Sequence, residues 1–257
     1  MNNDGIVYDG DTAFGHFRVA DTVYGGRPAR VLYSGNNAAA QSGVATDDNT
    51  DLLFDYNQRF LELIETLQPQ RILLIGGGAF TLPKVVVDDY PDIRMDVVEL
   101  DAGLPEIAQQ YFDFTPTARV QVHIQDGREF LETVERQYDL ILLDAFFDAT
   151  TPRAFQTLEA ALAYRRCLQP EGVLAINTIA AYYGVRSALL RRQIAALQTQ
   201  FQTVEVFPAG NGYSLWLPQN FILMAQNGTA DIESALRHSM VALPAVDKSE
   251  AVHDGTT

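Results

Sequence analysis

Short apolar runs and helical repeats alternate along the chain from residue 71 to about residue 200. Apolar runs predict strands, and apolar residues three or four positions apart predict helices. The predicted strands lie near 71–75, 95–99, 120–124, 139–143 and 172–177, and the predicted helices near 82–89, 103–112, 127–135, 153–168 and 184–200. This alternation is typical of a doubly wound α/β fold with a mostly parallel sheet. Residues 203–207 and 221–225 are separated by a turn-rich stretch, which predicts a C-terminal antiparallel hairpin at one sheet edge.

The N-terminal region has a different pattern. Residues 14–20 and 30–33 read as short strands with glycines and a proline between them. They predict a small N-terminal β element over residues 1–50. Within it, residues 36–49 are small and polar and are predicted to form a loop.

The main domain is predicted to span residues 51–245. It opens with apolar positions at helical spacing, which predict a helix over residues 51–67. Near its end, a short amphipathic segment is predicted from residue 228 to about residue 242. Residues 246–257 are polar and are predicted to form a disordered tail.

The charge of the chain narrows the classes of ligand. Its net charge is −15, and Lys84 and Lys248 are its only lysines. The basic stripe expected of a nucleic-acid-binding protein is missing, so no nucleic-acid partner is predicted. Most of the acids are expected simply to solvate the surface, and a small cationic substrate is compatible with them.

Cysteine and histidine usage give no sign of a metal site. Cys167 is the only cysteine and is predicted to lie in the core, so neither a disulfide framework nor a thiolate cluster is expected. His123 lies inside a predicted strand, and no second histidine stands at ligand spacing.

The N-terminus lacks a basic segment followed by an apolar one, and no run approaches about 20 apolar residues. We therefore expect a cytoplasmic protein with no membrane partner.

A run of glycines follows the first predicted strand of the main domain. Gly76, Gly77 and Gly78 precede a predicted helix, and Glu99 ends the next strand about twenty residues later. Glycine turns often serve only as connections, but the order strand, turn, helix, strand, acid favours a nucleotide-like cofactor. Thr81 stands where a dinucleotide site has its third glycine. An adenosyl-sulfonium cofactor is therefore favoured over NAD.

Three successive predicted strands end in an acid, namely Glu99, Asp126 and Asp144. In open α/β sheets the ligand lies outside the carboxyl ends of the strands. Glu99 is predicted to accept both ribose hydroxyls, and Asp144 to lie at the reacting centre. Asp126 precedes Gly127 at a helix start, where it can contact an adenine amine or cap the helix, and the two roles are compatible.

These motifs resemble the spermidine synthase family, the aminopropyltransferases, over roughly residues 14–226. The resemblance is carried by Gly76-Gly-Gly-Ala-Phe-Thr81, Val98-Glu-Leu-Asp101, Gln125-Asp-Gly127, Asp144-Ala-Phe-Phe-Asp148, Gln41 and Leu53-Phe-Asp-Tyr-Asn57. It implies the Rossmann-like class I fold of S-adenosylmethionine-dependent methyltransferases. It also implies transfer of an aminopropyl group from decarboxylated S-adenosylmethionine to a small amine such as putrescine, in polyamine biosynthesis. The resemblance further implies a homodimer or homotetramer.

The resemblance assigns a role to each motif residue. Asp144 is the expected catalytic residue, and Tyr56 and Asp148 are expected to bind the substrate. The expected cofactor-binding residues are Gly76, Gly77, Gly78, Glu99, Leu100, Asp126, Gly127 and Gln41.

Three positions depart from the family pattern. Ala79 replaces an aspartate that contacts the aminopropyl ammonium, Asn57 replaces a histidine, and Asp148 is displaced by one residue with no proline after it. Without the aspartate, the site can admit ordinary S-adenosylmethionine. Two alternatives therefore stay open: an S-adenosylmethionine-dependent methyltransferase, and a non-catalytic cofactor-binding module.

Overall fold

The computed structural model describes residues 5–35, 39–47, 52–146, 150–210, 214–229, 244 and 246–255. The strands are β1 (Ile6–Asp11), β2 (His16–Tyr24), β3 (Arg27–Ser34), β4 (Ala39–Ala45), β5 (Arg71–Ile75), β6 (Arg94–Glu99), β7 (Val120–Ile124), β8 (Tyr138–Leu143), β9 (Leu168–Ala180), β10 (Thr203–Pro208) and β11 (Gln219–Gln226). The helices are α1 (Asp55–Leu67), α2 (Thr81–Asp89), α3 (Gly103–Tyr111), α4 (Gly127–Thr133), α5 (Leu158–Cys167) and α6 (Ala188–Leu197).

The larger sheet has seven strands in the order β10-β11-β9-β8-β5-β6-β7. Strands β5 to β9 run parallel, whereas β11 pairs antiparallel with both β9 and β10. The predicted doubly wound α/β fold with its C-terminal antiparallel hairpin is confirmed. The chain reverses its strand order at β5, so the carboxyl ends of β5 and β8 frame a crevice in which ligands bind in such folds.

Strand β5 shows why these runs become central strands. Ile72 and Leu74 face the core on one side of the sheet, and Leu73 and Ile75 face the core on the other. A strand that is buried on both faces needs a continuous apolar run, and residues 72–75 are all apolar. Cys167 is buried at the end of α5, as predicted.

The N-terminal strands form a separate antiparallel sheet in the order β1-β2-β3-β4. The predicted loop over 36–49 was wrong for residues 39–45, which form β4 and pair with β3. Their small side chains have weak intrinsic strand preference, but the hydrogen bonds to β3 and the burial of residues 42–45 override it. Residues 36–38 and 48–51 lie outside the described residues.

The end of the chain also differs from its prediction. Residues 246–255 were predicted to be disordered, but they pack against α4, α5 and α6. Arg191 Nε donates to Glu250 at 2.7 Å, Arg128 donates to Asp254 at 3.1 Å, and the Thr157 hydroxyl donates to Asp254 at 2.7 Å. The polar composition of this segment predicted a disordered tail. Composition does not reveal that the domain surface carries hydrogen-bonding partners for these polar side chains. The predicted amphipathic segment from 228 to about 242 falls almost wholly outside the described residues.

Two predicted helices begin later than expected. Residues 153–155 form a short 3-10 turn, and α5 starts at Leu158, where the Thr157 hydroxyl accepts from the Ala160 N–H at 3.2 Å. Helix α6 is likewise preceded by a 3-10 turn over residues 185–187. No helix within the described ranges is long and apolar enough to cross a membrane.

Candidate active site

The glycine turn after β5 packs directly on the backbone that follows β8. Gly76 has a φ of +94°, and a Cβ atom there would lie 2.4 Å from the Asp144 carbonyl oxygen. The Gly76 N–H donates to the Val98 carbonyl at 2.9 Å, and the Asp144 N–H donates to the Ile75 carbonyl at 2.8 Å. Only glycine combines this φ with such a close approach. The turn therefore fixes the position of Asp144 relative to β5.

Glu99 is held against the same turn. Its Oε2 accepts from the Gly77 N–H at 2.8 Å, and its Oε1 accepts from the Asp101 N–H at 2.9 Å. The side chain is only 8% exposed. Burial raises the pKa of Glu99, while the bonds from Asp101 and Gly77 lower it. Each carboxylate oxygen has a second lone pair, so a fixed Glu99 can still accept from hydroxyl groups of a ligand.

A pocket of about 260 Å³ lies between the glycine turn, the ends of β8 and β9, and the N-terminal sheet. It brings together six of the predicted site residues: Gln41, Tyr56, Gly76, Gly77, Gly78 and Asp144. The other lining residues are Tyr24, Ala39, Ala40, Ser42, Phe54, Asn57, Leu74, Thr81, Leu82, Pro83, Phe146, Asn177, Ile179 and Asn220.

The Asp144 carboxylate is oriented by a chain of amides. Asn177 Nδ2 donates to Asp144 Oδ1 at 2.8 Å, and Asn220 Nδ2 donates to Asn177 Oδ1 at 2.9 Å. Asn177 lies on β9, one residue past the pair that joins Leu143 to Ile176, so it stands opposite Asp144. The network spans β8, β9 and β11 and holds the carboxylate in one orientation.

The protein environment makes Asp144 a stronger base than an ordinary aspartate. Its side chain is partly reached by solvent at the floor of the pocket, but protein atoms surround it on the other sides. Burial raises its pKa above 3.8, the hydrogen bond from Asn177 and the nearby Tyr56 hydroxyl lower it, and the charge of Glu99 raises it, so that the pKa is about 7. A carboxylate with a pKa near neutrality suits general base catalysis.

Tyr56 connects Asp144 to the N-terminal sheet. The Tyr56 hydroxyl donates to the Gln41 main-chain carbonyl at 3.0 Å, and Gln41 Nε2 donates to the Ser34 hydroxyl at 2.6 Å. Burial raises the pKa of Tyr56 well above its usual value, and the nearby charge of Asp144 raises it as well. Tyr56 therefore stays a neutral phenol beside Asp144, and β4 and α1 form one wall of the pocket.

Glu99, Leu100, Asp126 and Gly127 are not among the residues that line this pocket and lie at neighbouring strand ends. Asp126 Oδ1 accepts from the Arg128 and Glu129 N–H groups at 2.7 and 3.1 Å, so the predicted helix cap is present. Both bonds use Oδ1, which leaves Oδ2 for a ligand. A Cβ at Gly127 would lie 2.5 Å from Ile75, so packing alone requires glycine there. Leu100 is 44% exposed.

Two of the positions that depart from the family pattern are Ala79 and Asp148. Ala79 is fully buried in the hydrophobic core and leaves no polar group where the resemblance expects an acid. Asp148 lies outside the described residues. Its predicted role in substrate binding stays a prediction.

Sequence reasoning missed Asn177 and Asn220. A signal for Asn177 was present, since it is a polar amide at the carboxyl end of the apolar run Val173-Leu-Ala-Ile176. The rule that selected the acids at strand ends applies equally to amides. Asn220 gives no comparable signal, because its role depends on the antiparallel register between β9 and β11.

Comparison with known proteins agrees with this geometry. The spermine/spermidine synthase domain matches residues 60–206. The chain belongs to this family. The match begins inside α1 and ends in β10, and thus covers the glycine turn, Glu99, Asp126 and Asp144.

Two curated relatives show the range of the similarity. A polyamine aminopropyltransferase of Vibrio vulnificus is 30% identical over 182 residues, which cover 68% of this chain and 56% of the relative. The eEF1A lysine and N-terminal methyltransferase of Bos taurus is 31% identical over 139 residues, 50% of this chain and 20% of the relative. The chain thus spans about half the length of the first relative and a fifth of the second.

Solved structures share the fold. A probable spermidine synthase from Corynebacterium glutamicum has a TM-score of 0.78 at 23% identity, with 97% of each chain covered. A spermidine synthase in complex with the transition state analogue AdoDATO has a TM-score of 0.67 at 18% identity, covering 90% of this chain and 76% of that one. Human methyltransferase-like protein 13 in complex with SAH has a TM-score of 0.58 at 25% identity. The match covers 72% of this chain and 93% of that one.

The part of the chain that the structure describes contains no group of three or more His, Cys, Asp and Glu residues able to hold a metal ion. His123 instead bonds Asp96 through Nε2 at 2.8 Å, on the face of β7.

Proposed function

We propose that this protein transfers an aminopropyl group from decarboxylated S-adenosylmethionine to a small amine such as putrescine. One observation carries the choice of substrates: among the described residues that line the pocket, Asp144 is the only charged side chain. Among these described residues a methionine carboxylate would find no cationic side chain, whereas cationic amines would find a carboxylate, phenols and amide oxygens.

The strand ends provide a place for the adenosyl part. Glu99 is fixed beside the glycine turn with lone pairs left for ribose hydroxyls. Leu100 and Ile124 expose large apolar side chains, 44% and 50% exposed, at the ends of β6 and β7. Such side chains suit the faces of an adenine ring, and Asp126 Oδ2 is available to accept from its exocyclic amine. The absence of side chains at Gly76 and Gly77 lets the sulfonium end approach the backbone.

The chemistry then follows from the geometry of Asp144. The lone pair of a neutral amine attacks the carbon next to sulfur, an N–C bond forms, and the C–S bond electrons leave with a neutral thioether. Sulfonium is a good leaving group, so orientation and a neutral nucleophile limit the rate. An alkylamine with a pKa near ~10 is mostly protonated at neutral pH. Asp144 binds the amine and accepts its proton, and Asn177 keeps the carboxylate aimed at it.

The substitution Asp144→Asn tests this role. We expect kcat to fall by about 10²–10⁴-fold, because the variant keeps the shape but loses the base. Affinity for decarboxylated S-adenosylmethionine, measured by calorimetry, should stay within a few fold. The exposed Asp89→Asn is the matched control for loss of one negative charge. Equal loss of cofactor affinity and turnover in Asp144→Asn would contradict a catalytic role.

A methyltransferase is the second candidate, favoured by Ala79 and by the similarity to the eEF1A methyltransferase. Parallel titrations with decarboxylated S-adenosylmethionine, S-adenosylmethionine and NAD separate the candidates. Product mass spectrometry then distinguishes an added aminopropyl group from an added methyl group. Tight binding of either sulfonium without any product would instead favour the non-catalytic module. A cytoplasmic location and a dimeric or tetrameric assembly stay predictions.

A further inference from the structure

Arginines cluster at the edge of the larger sheet opposite the candidate active site. Arg71 and Arg94 begin β5 and β6 and stand directly opposite each other in the parallel register. Arg119 immediately precedes β7, and its carbonyl accepts from the Met95 N–H at 2.8 Å. Adjacent strands are about 4.8 Å apart, so three arginines lie side by side at three successive strand starts.

These arginines surround a concavity of about 130 Å³, here called the arginine pocket. It is lined by Arg71, Arg94, Arg119 and Arg136, with Asp96 and Gln121 between them. Ligand pockets for drug-sized molecules measure about 300–1,000 Å³. The arginine pocket is therefore sized for a small group or for one end of a larger ligand.

The acid inside the arginine pocket does not neutralise Arg71 or Arg94. Asp96 is 5% exposed, and its Oδ1 accepts from His123 at 2.8 Å. Its Oδ2 accepts from Arg136 at 2.6 Å and from the Tyr138 hydroxyl at 2.9 Å. Three donors other than Arg71 and Arg94 therefore hold the carboxylate of Asp96.

The other polar side chains at this edge bond to the main chain. Arg119 donates to the main-chain carbonyls of Val87 at 2.9 Å and Tyr90 at 3.1 Å, so it is held in place without an acidic partner. Asp139 Oδ2 accepts from the main-chain N–H groups of Gln70 and Arg71. Within the described ranges, neither the Arg71 nor the Arg94 guanidinium forms an ion pair.

Two unpaired like charges at opposed strand positions are destabilising. The chain has 33 acidic residues against 18 basic ones, yet the nearby carboxylates of Asp96 and Asp139 bond to other groups and not to these two guanidiniums. A planar guanidinium offers paired N–H donors that match the oxygens of a phosphate group. We propose that the arginine pocket binds a phosphate group, either free inorganic phosphate or the phosphate end of a nucleotide, with Arg71 and Arg94 as its main donors.

Calorimetric titration at fixed ionic strength tests this site, with inorganic phosphate and GTP as separate probes. GTP is chosen because its base does not match an adenosine site. We expect saturable binding to the unmodified protein, weakened at least about tenfold in the double variant Arg71→Gln/Arg94→Gln, because two charge-assisted donors are lost. The matched control Arg165→Gln/Arg186→Gln removes the same charge elsewhere and should bind like the unmodified protein.

Each outcome decides between the sources or overturns the proposal. Tighter binding of GTP than of phosphate, with both lost in the double variant, identifies a nucleotide ligand. Similar affinities identify the free anion. No saturable binding of either probe, or equal binding by the double variant, overturns the site.

Melting temperature provides a readout that separates binding from a structural role. Without ligand, the double variant should be at least as stable as the unmodified protein, because two opposed like charges have been removed. Phosphate should raise the melting temperature of the unmodified protein and not that of the double variant. A less stable double variant that still responds to phosphate would show that the arginines support the fold instead.

Discussion

The raised pKa of Asp144 makes the stability of this protein depend on pH in a specific window. Folding moves this pKa from 3.8 to about 7. Between these values the folded protein holds a proton that the unfolded chain releases, so stability falls by about 1.4 kcal/mol per pH unit as pH rises. Between pH 5 and pH 7 the loss amounts to about 2–3 kcal/mol. Above about pH 8 both states are ionised and the loss is complete.

The substitution Asp144→Asn should abolish this loss. Asparagine has the same shape and no proton to release, so the variant should gain about 2–3 kcal/mol relative to the unmodified protein between pH 5 and pH 8. Solvent that reaches the carboxylate screens its charge and places the expected value at the lower end of this range. The absolute difference at one pH is less informative, because it also contains changes in hydrogen bonding.

Urea unfolding at pH 5 and at pH 8, followed by circular dichroism, gives the required comparison. At each pH the free energy of unfolding of the unmodified protein is subtracted from that of the variant. The prediction concerns how much this difference changes from pH 5 to pH 8. Other titrating groups affect both proteins alike and cancel. A change smaller than about 0.5 kcal/mol, or a change that favours the unmodified protein at pH 8, would refute a buried, strongly basic Asp144.

Three further substitutions test the surroundings. Asn177→Ala removes a bond that lowers the Asp144 pKa, so the acidic limb of the kcat/KM profile should move up by about one pH unit. Gly76→Ala adds a Cβ 2.4 Å from the Asp144 carbonyl, so denaturant unfolding should show a loss of at least about 2 kcal/mol. Thr157→Val removes the α5 cap and the bond to Asp254, so stability should fall by about 1–2 kcal/mol and hydrogen exchange over residues 246–255 should increase.

Matched variants make these results specific. Asn220→Ala should shift the acidic limb in the same direction as Asn177→Ala and by less, and an unshifted limb in both would contradict the amide network. Gly35→Ala is the control for positive φ alone, since nothing lies within 4 Å of its added Cβ. An equal loss at Gly35 and Gly76 would argue against the close approach to Asp144. Thr157→Ser retains both hydroxyl bonds and should behave like the unmodified protein.

The central sheet could be predicted from the sequence because its strands are buried on both faces. The predicted bounds of β5 and β7 agree with the structure, and β6 and β8 begin one residue before the predicted starts. The apolar runs of β5 and β8 are continuous and are followed by Gly76 and Asp144, so the local sequence shows both their burial and their ends. Strand β9 extends four residues earlier and three later than predicted, because pairing with β8 and β11 includes polar residues that the pattern excludes.

Long-range pairing explains what the sequence did not predict. Strand β4 consists of small residues whose conformation depends on β3. The amide chain from Asn220 through Asn177 to Asp144 depends on the register of three strands. The placement of Gln41 and Tyr56 in the same pocket depends on how the N-terminal sheet meets the larger domain. The acids at the strand ends were found because one topological rule places them all at one edge.

The position of β11 has a consequence for synthesis on the ribosome. This strand is the last of the larger sheet in chain order, yet it lies between β9 and β10, which emerge earlier. At about 5–20 residues per second, a nascent chain passes through a stage in which β9 presents an open edge and β10 has no neighbour. Throughout this stage the Asn177 side chain lacks the hydrogen bond from Asn220. The candidate site therefore reaches its final geometry only after residues 219–226 have left the ribosome, and nascent chains stalled before that point should be prone to edge-to-edge association.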